Sequence, residues 1–524
     1  MTEHPEGTHV STQGESPPET VGVRNRLRER WKALPYVQRA GIAIGLQLLL
    51  AVLLLFIDHS LAYAVVTISA LFWMRRLPPL PWKLAAQAVM VVAFLIAGVT
   101  SLAAAFAIAF AVFWVPERRR VLVLPAVALL VAILYPFYQA KMFTIPVFGV
   151  WPDVATGVYM LVFVMMAVGL NIVVGYAGLL DLGYVAFYAT GAYTAASFAS
   201  LQFAHRTVNF GAIGVQPGLA GIHITIWLLL LLAGVLTAVF GILIGLPTLR
   251  LRGDYLAIVT LGFGEIIYDV ARNSDNFFGT GFNLTNGPNG ITPLDSLGFG
   301  SRVSHWTGGF LPSNYLQCCN ANYLGHQIQS ADVFFWTAIV LLLFTVFCSL
   351  RLQYSRLGRA WIAIREDETA AAAMGIPLMR TKTWAYASGA FFGGIAGAYY
   401  AVFKSATFPG DFYFNISVFI LCMVILGGMG NIWGVIVGGA FLAYLNQEGL
   451  ANTGAWINTN VHFGSHHPNL EVPLYASGIY GLIILIVMLF RPEGLIPSRR
   501  RAAELHEGVH DEPLYDATHA GAEA

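Results

Sequence analysis

The stretch ITIWLLLLLAGVLTAVFGILIGL, residues 224–246, runs 23 residues without a charged side chain. As a helix rising about 1.5 Å per residue it reaches about 34 Å, enough to cross a hydrocarbon layer roughly 30 Å thick. The rest of the 524-residue chain has the same character, with 57% hydrophobic and only 11% charged residues. Soluble domains carry roughly 25% charged residues, so a chain of this length and composition cannot cover itself with a solvated surface. That excludes a water-soluble globular enzyme. General disorder is excluded as well, because it needs low hydrophobicity and high net charge, and the net charge here is +1. Near-neutrality argues against a nucleic-acid partner, which would be held through neutralised phosphates. Cys318, Cys319, Cys348 and Cys422 are too few and too scattered for a disulfide framework or a zinc site, and no bound metal is expected.

Apolar runs of comparable reach recur at 41–57, 61–74, 84–98, 102–115, 121–138, 154–174, 183–201, 224–246, 255–272, 333–350, 383–403, 413–426, 432–445 and 474–490. The fold class is therefore an all-α, polytopic integral membrane protein. Some runs are short and lie beside glycine-rich stretches such as 427–430 and 434–439, where a helix can break or re-enter, so the expected number is about 11 to 14 transmembrane or re-entrant helices. Lys and Arg accumulate at 24–32, 75–83, 118–120, 250–252, 351–382 and 499–501. With every run spanning, all these clusters share one face, and basic loops stay cytoplasmic. The other face receives 273–332, whose only basic residue is Arg302, and 449–473, which has none. Both termini are thus predicted in the cytoplasm. Residues 1–36 read as a disordered tail that turns basic, without the early apolar core of a signal peptide. Residues 37–138 form an N-terminal set of accessory helices, 139–497 the core, and 498–524 a second polar tail.

The loop RLQYSRLGRAWIAIREDETAAAAMGIPLMRTK, residues 351–382, is long for a simple connection. Leu357, Trp361 and Ile364 recur at helical spacing. Glu366, Asp367 and Glu368 then open an alanine run, where carboxylates meet the positive end of a helix dipole. Gly375 and Pro377 stop it. From pattern alone this is either a docking element or an amphipathic helix resting on lipid headgroups.

The segment LGRAWIAIREDETAAAAMGI (357–376) resembles the coupling loop of permease subunits of branched-chain amino acid ABC importers, the LivM type. The resemblance extends in order through GLNIVVGYAGLLDLGYVAFYATGAY (169–193), LPTLRLRGDYLAIVTLGFGEI (246–266), TNGPNGI (285–291), VILGGMGNIWGVIVGG (424–439) and RPEGLIP (491–497). It implies the ABC-importer permease fold over the core and alternating access as the mechanism. It also implies partners: a paralogous permease subunit forming a heterodimer, two cytoplasmic ATPase subunits, and a periplasmic or lipid-anchored substrate-binding protein. Branched-chain amino acids would be the substrate and the cell inner membrane the location. No cofactor is expected on this chain. It contains no Gly-Lys dipeptide of a phosphate-cradling nucleotide loop, so it is not expected to be an enzyme, and ATP and Mg would be bound by the ATPase subunits.

For coupling to those ATPases the resemblance points to Arg359, Glu366, Asp367, Glu368, Ala370, Ala371 and Gly375. Thr369 stands where the commonest importer loops carry a glutamate. Candidates for the translocation pathway are Asn171, Gly175, Gly178, Asp181 and Gly183, around an interrupted helix, and Glu265. Glycines let helices approach closely or expose backbone toward a cavity, and either reading fits a single glycine. Asp181 would face a polar cavity or satisfy loop N–H groups. Ionisable residues at membrane depth mark pathways or pairs. Asp269 is three residues before Arg272 and can pair with it, whereas Glu265 has no such neighbour. Two other functions are compatible with parts of the chain. One is an ion-coupled secondary transporter of small polar solutes using Asp181 or Glu265, and the other a membrane enzyme using His462, His466 and His467. The first has no need of the 351–382 loop, and the second lacks further ligands or a nucleophile–base pairing.

Overall fold

The computed structural model describes residues 117–139, 151–212, 218–251, 254–279, 281–299, 301–308, 322–323, 326–460, 470–491 and 493–496, with isolated positions between 47 and 92. Apart from those isolated positions, the four predicted runs before residue 116 lie outside the described residues, as do both tails, Cys318, Cys319 and the histidines 462, 466 and 467. The chain divides into two compact units, Met1–Trp114 and Val115–Ala524, and the second holds every helix from residue 117 onward.

Every predicted run from residue 121 onward is a helix. The helices are α1 (Glu117–Tyr138), α2 (Val154–Asn171), α3 (Val185–Phe198), α4 (Ile226–Thr248), α5 (Asp254–Asn273), the short α6 (Ser301–Trp306), α7 (Ser330–Gln353), α8 (Arg356–Glu366), α9 (Glu368–Ala373), α10 (Leu378–Lys404), α11 (Phe414–Gly427), α12 (Ile432–Tyr444), α13 (Leu450–Asn460) and α14 (Ala476–Phe490). Among the described residues five helical segments are long and apolar enough to cross a membrane: Val154–Tyr176, Ile226–Thr248, Ser330–Gln353, Pro409–Gly427 and Val472–Phe490. The short run 432–445 forms α12. A π-helical turn at Leu445–Gly449 carries α12 straight into α13, so its apolar part is only the first half of a longer helix.

The centre of the unit is α2 and α10. Asp153 caps α2 by accepting from Thr156 N at 2.6 Å, and the helix then buries both its faces, which a chain does only where neighbours surround it. α10 packs on α2, α3 and α4. Its small residues allow this: a Cβ added to Gly191 of α3 would collide with the Gly394 carbonyl of α10, so the two backbones touch where neither carries a side chain. By contrast Leu231, Val235 and Leu243 of α4 and Leu482, Leu485 and Leu489 of α14 are exposed, as lipid-facing positions of a membrane bundle are.

At one end of the bundle a small sheet has the order β1 (Ala199–Ser200), β3 (Gly221–Ile224), β2 (Thr207–Phe210). β1 is antiparallel to β3, with Ala199 opposite His223, and β2 is parallel to it, with Thr207 opposite Gly221. Asp295 N donates to Ala199 O at 2.7 Å, and Ile291 exchanges backbone bonds with Thr407 at 3.0 Å, so the loop 283–298 is stitched between the sheet and the end of α10. The opposite end carries the loop 351–382, the end of α2, the turn between α11 and α12, and residues 493–496, where Leu495 N and Ile496 N donate to Leu426 O and Gly427 O.

Candidate functional site

The loop 351–382 is a folded unit. Ser355 Oγ caps α8 by accepting from Gly358 N at 3.1 Å. Trp361 and Ile364 are buried while Leu357 is exposed, so the inward stripe is narrower than the spacing predicts. The indole N–H of Trp361 donates to Thr381 O at 2.8 Å, tying α8 to the start of α10. Asp367 ends α8 and caps α9, its Oδ1 accepting from Thr369 N and Ala370 N at 2.7 and 3.0 Å. Glu368 Oε1 lies 2.7 Å from the ammonium of Lys382, a residue only 4% exposed. Gly375 takes φ +85°, and Gly375 N and Ile376 N donate to Ala372 O and Ala371 O, which closes the helix as a left-handed stop does.

These contacts sort the candidates for coupling. Asp367 and Glu368 are engaged in bonds within the loop and Ala371 is buried. Arg359 is exposed and bonds within the loop, Nη1 donating to Tyr354 O at 3.1 Å. Glu366, Ala370, Ala372, Ala373 and Gly375 are exposed, beside Met374, whose side chain is 84% exposed.

The glycine-rich interruption lies against this loop. α2 widens into a π-helical turn, Ile172–Tyr176. Asn171 is fully buried and accepts from Gly430 N at 2.9 Å. Arg365, at the end of α8, donates from Nη1 to Gly175 O at 2.7 Å, and Gly178 lies under its aliphatic stem. Asp181 is 1% exposed, with Oδ1 accepting from Gly183 N at 2.8 Å and Oδ2 without a partner among the described residues. Gly183 is pressed against the Thr260 carbonyl, and Leu182 N donates to Thr260 Oγ1 at 3.1 Å. Asn171, Gly175 and Gly178 are thus brought together with Arg365, and Asp181 and Gly183 with α5.

Glu265 is not part of this cluster. It lies near the middle of α5, exposed together with Asp269 and Arg272, and Asp269 and Arg272 make no ion pair with each other among the described residues. At the sheet end His223 Nδ1 meets Asp295 Oδ2 at 2.7 Å; burial pushes the Asp295 carboxyl up, and the histidine partly opposes this. No cluster of three or more potential metal ligands occurs among the described residues.

Residues 154–488, from the start of α2 almost to the end of α14, match the family described as branched-chain amino acid transport system, permease component. The chain belongs to that permease family. It is 35% identical over 363 residues to the high-affinity branched-chain amino acid transport system permease protein LivM of Salmonella typhimurium, covering 68% of this chain and 72% of that protein. The LivM protein of Escherichia coli K12 is 34% identical over 364 residues with the same coverage. A probable LivM permease of Methanocaldococcus jannaschii is 25% identical over 352 residues, covering 64% of this chain and 90% of its own. No solved structure matches the chain. The permease is therefore a membrane transport subunit, as the resemblance of its motifs implies. The candidates drawn from those motifs do not include Arg365, Lys382, Met374 or the His223–Asp295 pair. Arg365 and Lys382 stand in the quoted loop, but their partners lie 190 and 14 residues away, and spacing alone gives no sign of either contact.

Proposed function

We propose that this permease moves branched-chain amino acids inward across the cell inner membrane as one half of a translocation unit, paired with a paralogous permease subunit. Two cytoplasmic ATPase subunits, which bind ATP and Mg, dock on the loop 351–382, and a periplasmic or lipid-anchored binding protein delivers substrate to the sheet end. Both termini lie in the cytoplasm. The observation that carries this reading is the braced α9. A six-residue helix is far too short to hold itself in water, yet here it is fixed by Asp367, the Glu368–Lys382 pair and the Trp361 bond. Its exposed residues are Thr369, Ala370, Ala372 and Ala373, followed by Met374 and Gly375. A short rigid knob without bulky polar side chains fits a groove on a soluble partner. The family names of the relatives and the basic character of this end agree with it.

The pathway runs past α5. Glu265 is exposed midway along that helix, and a carboxylate facing lipid there costs roughly 2.5–3.5 kcal/mol, so its face borders water or the partner permease. The reading is tested by co-purification. Tagged permease retains its ATPases, whereas Met374→Asp and Ala372→Trp, both on the exposed face, lose them while still inserting. Retention of the ATPases by both variants with normal stimulated hydrolysis would remove the loop from the docking role. Robust ion-driven uptake by the purified permease alone would instead favour a secondary transporter.

A further inference from the structure

We propose that Arg365 is the positioning residue through which movement of the docked loop reaches the membrane core, acting on the end of α2 and on the turn between α11 and α12 together. This rests on the reading of 351–382 as the ATPase-docking loop. Arg365 stands in the last turn of α8, two residues before Asp367, the cap of α9. It is therefore the side chain of the braced unit nearest the knob that also reaches the core. Its side chain lies in a notch built from three glycines of two separate segments, the stem over Gly178 and the guanidinium at Gly175 and Gly430. A Cβ on Gly178 would stand 2.6 Å from Arg365 Cγ, and one on Gly430 would stand 3.3 Å from Nη1. The third, Gly175, supplies the carbonyl that Nη1 holds at 2.7 Å.

That carbonyl is available because the helix ends one residue later, at Tyr176. The N–H groups that follow go elsewhere, Ala177 N to Ile172 O and Leu179 N to Val173 O, which leaves Gly175 O to the arginine. π-helical turns are strained insertions frequent at functional sites. The second segment is locked to the first at the same point, Gly430 N donating to Asn171 Oδ1 at 2.9 Å. It is also fixed to the chain after α14 through Leu495 and Ile496. A guanidinium held to one segment and packed against the other moves both when α8 moves. A planar charged fork suits this better than a lysine, which supplies a single point charge on a flexible stem.

The test uses the complete importer, with both permeases and both ATPases, in proteoliposomes fed by loaded binding protein. Three quantities are read: ATPase subunits retained per permease, ATP hydrolysed, and leucine taken up per ATP. For Arg365→Ala and Arg365→Gln we expect normal retention and hydrolysis within about twofold, with uptake per ATP down at least about tenfold, the loss of a charge-assisted bond. Arg365→Lys should fall between them and the parent. Gly430→Ala, which leaves the loop's own residues unchanged but brings a methyl to 3.3 Å from Arg365 Nη1 on a backbone at φ +85°, should lower uptake per ATP as well. Unchanged uptake per ATP in the assembled Ala and Gln variants would overturn the proposal. So would loss of assembly in step with uptake in the Ala, Gln and Lys variants alike, which would make Arg365 a structural brace. If the parent permease fails to retain the ATPases at all, it is the docking reading that fails, and the first quantity reports that separately.

Discussion

Removing the carboxylate of Glu368 should loosen α9 without unfolding the bundle. Lys382 is 4% exposed and its ammonium meets Glu368 Oε1 at 2.7 Å. Stripping one partner from a fully buried pair costs roughly 3–5 kcal/mol. The Glu368 side chain keeps 29% of its exposure, so water reaches the pair and the cost falls to about 1–3 kcal/mol. The loss falls on the contact between α9 and α10, and α9 has little helical stability of its own, so the equilibrium affected is docking of the knob. At about 1.4 kcal/mol per factor of ten, the undocked population rises roughly five- to 150-fold. In Glu368→Ala, hydrogen exchange at the amides of Met374, Gly375 and Ile376 should quicken by that factor. These three close the helix through bonds to Ala370 O, Ala372 O and Ala371 O. ATPase retention should weaken in parallel. Adding Lys382→Met removes the stranded ammonium and should restore most of the protection, giving a clear coupling between the two sites. Unchanged exchange in Glu368→Ala, or no recovery in the double variant, would refute the claim that this pair holds the knob.

Asp181→Asn keeps an oxygen for the Gly183 N–H and should assemble and transport nearly as the parent does, whereas Asp181→Leu should lose assembly and uptake in step. Uptake normalised to assembled complex checks this, and a Leu variant that assembles fully without transporting would place Asp181 in the pathway instead. At Gly375 nothing lies within 4 Å of the point where a Cβ would stand, so only its φ of +85° resists substitution. Gly375→Asn should retain the ATPases, while Gly375→Val loses about 1–2 kcal/mol of loop stability, and equal retention by both would contradict this. Burial raises the Asp295 carboxyl above its unfolded value, about 3.9 for aspartate. A raised acid favours the folded state below the unfolded value and loses that contribution as pH rises through the folded one. The thermal midpoint of the parent relative to Asp295→Asn should therefore fall from pH 4 upward, and a flat or rising difference would show that the carboxyl is not perturbed in this direction.

Helix positions are legible in this sequence because a membrane segment must be apolar over its whole length, and each run from 121 onward is a helix for that reason. Helix ends are less so. The run 432–445 looks short because hydropathy stops at Asn446, yet the backbone continues through a π-helical turn into LANTGAWINTN, where water or protein satisfies the polar side chains. Local capping is readable too. Asp367 before an alanine run and Gly375 after it act as cap and stop because both effects are settled within four residues of chain.

The glycines of the interruption show where such reading ends. Gly175 and Gly178 each say that something comes close to the backbone, and a substrate cavity and a packed neighbour leave the same mark on the sequence. What comes close is Arg365 at Gly178 and at the Gly175 carbonyl, while Asn171 and Gly430 crowd the place of a Gly175 side chain, and no periodicity links residue 365 or 430 to residue 175. The same holds in reverse for α5. Spacing of three places Asp269 and Arg272 on one helix face and favours a pair, but both side chains are exposed without meeting. Both stand in the last two turns of a helix that ends at Asn273, where solvent can meet each charge without a partner. Glu265 shares that exposed face, and the proposed pathway past α5 rests on this exposure rather than on any spacing in the sequence.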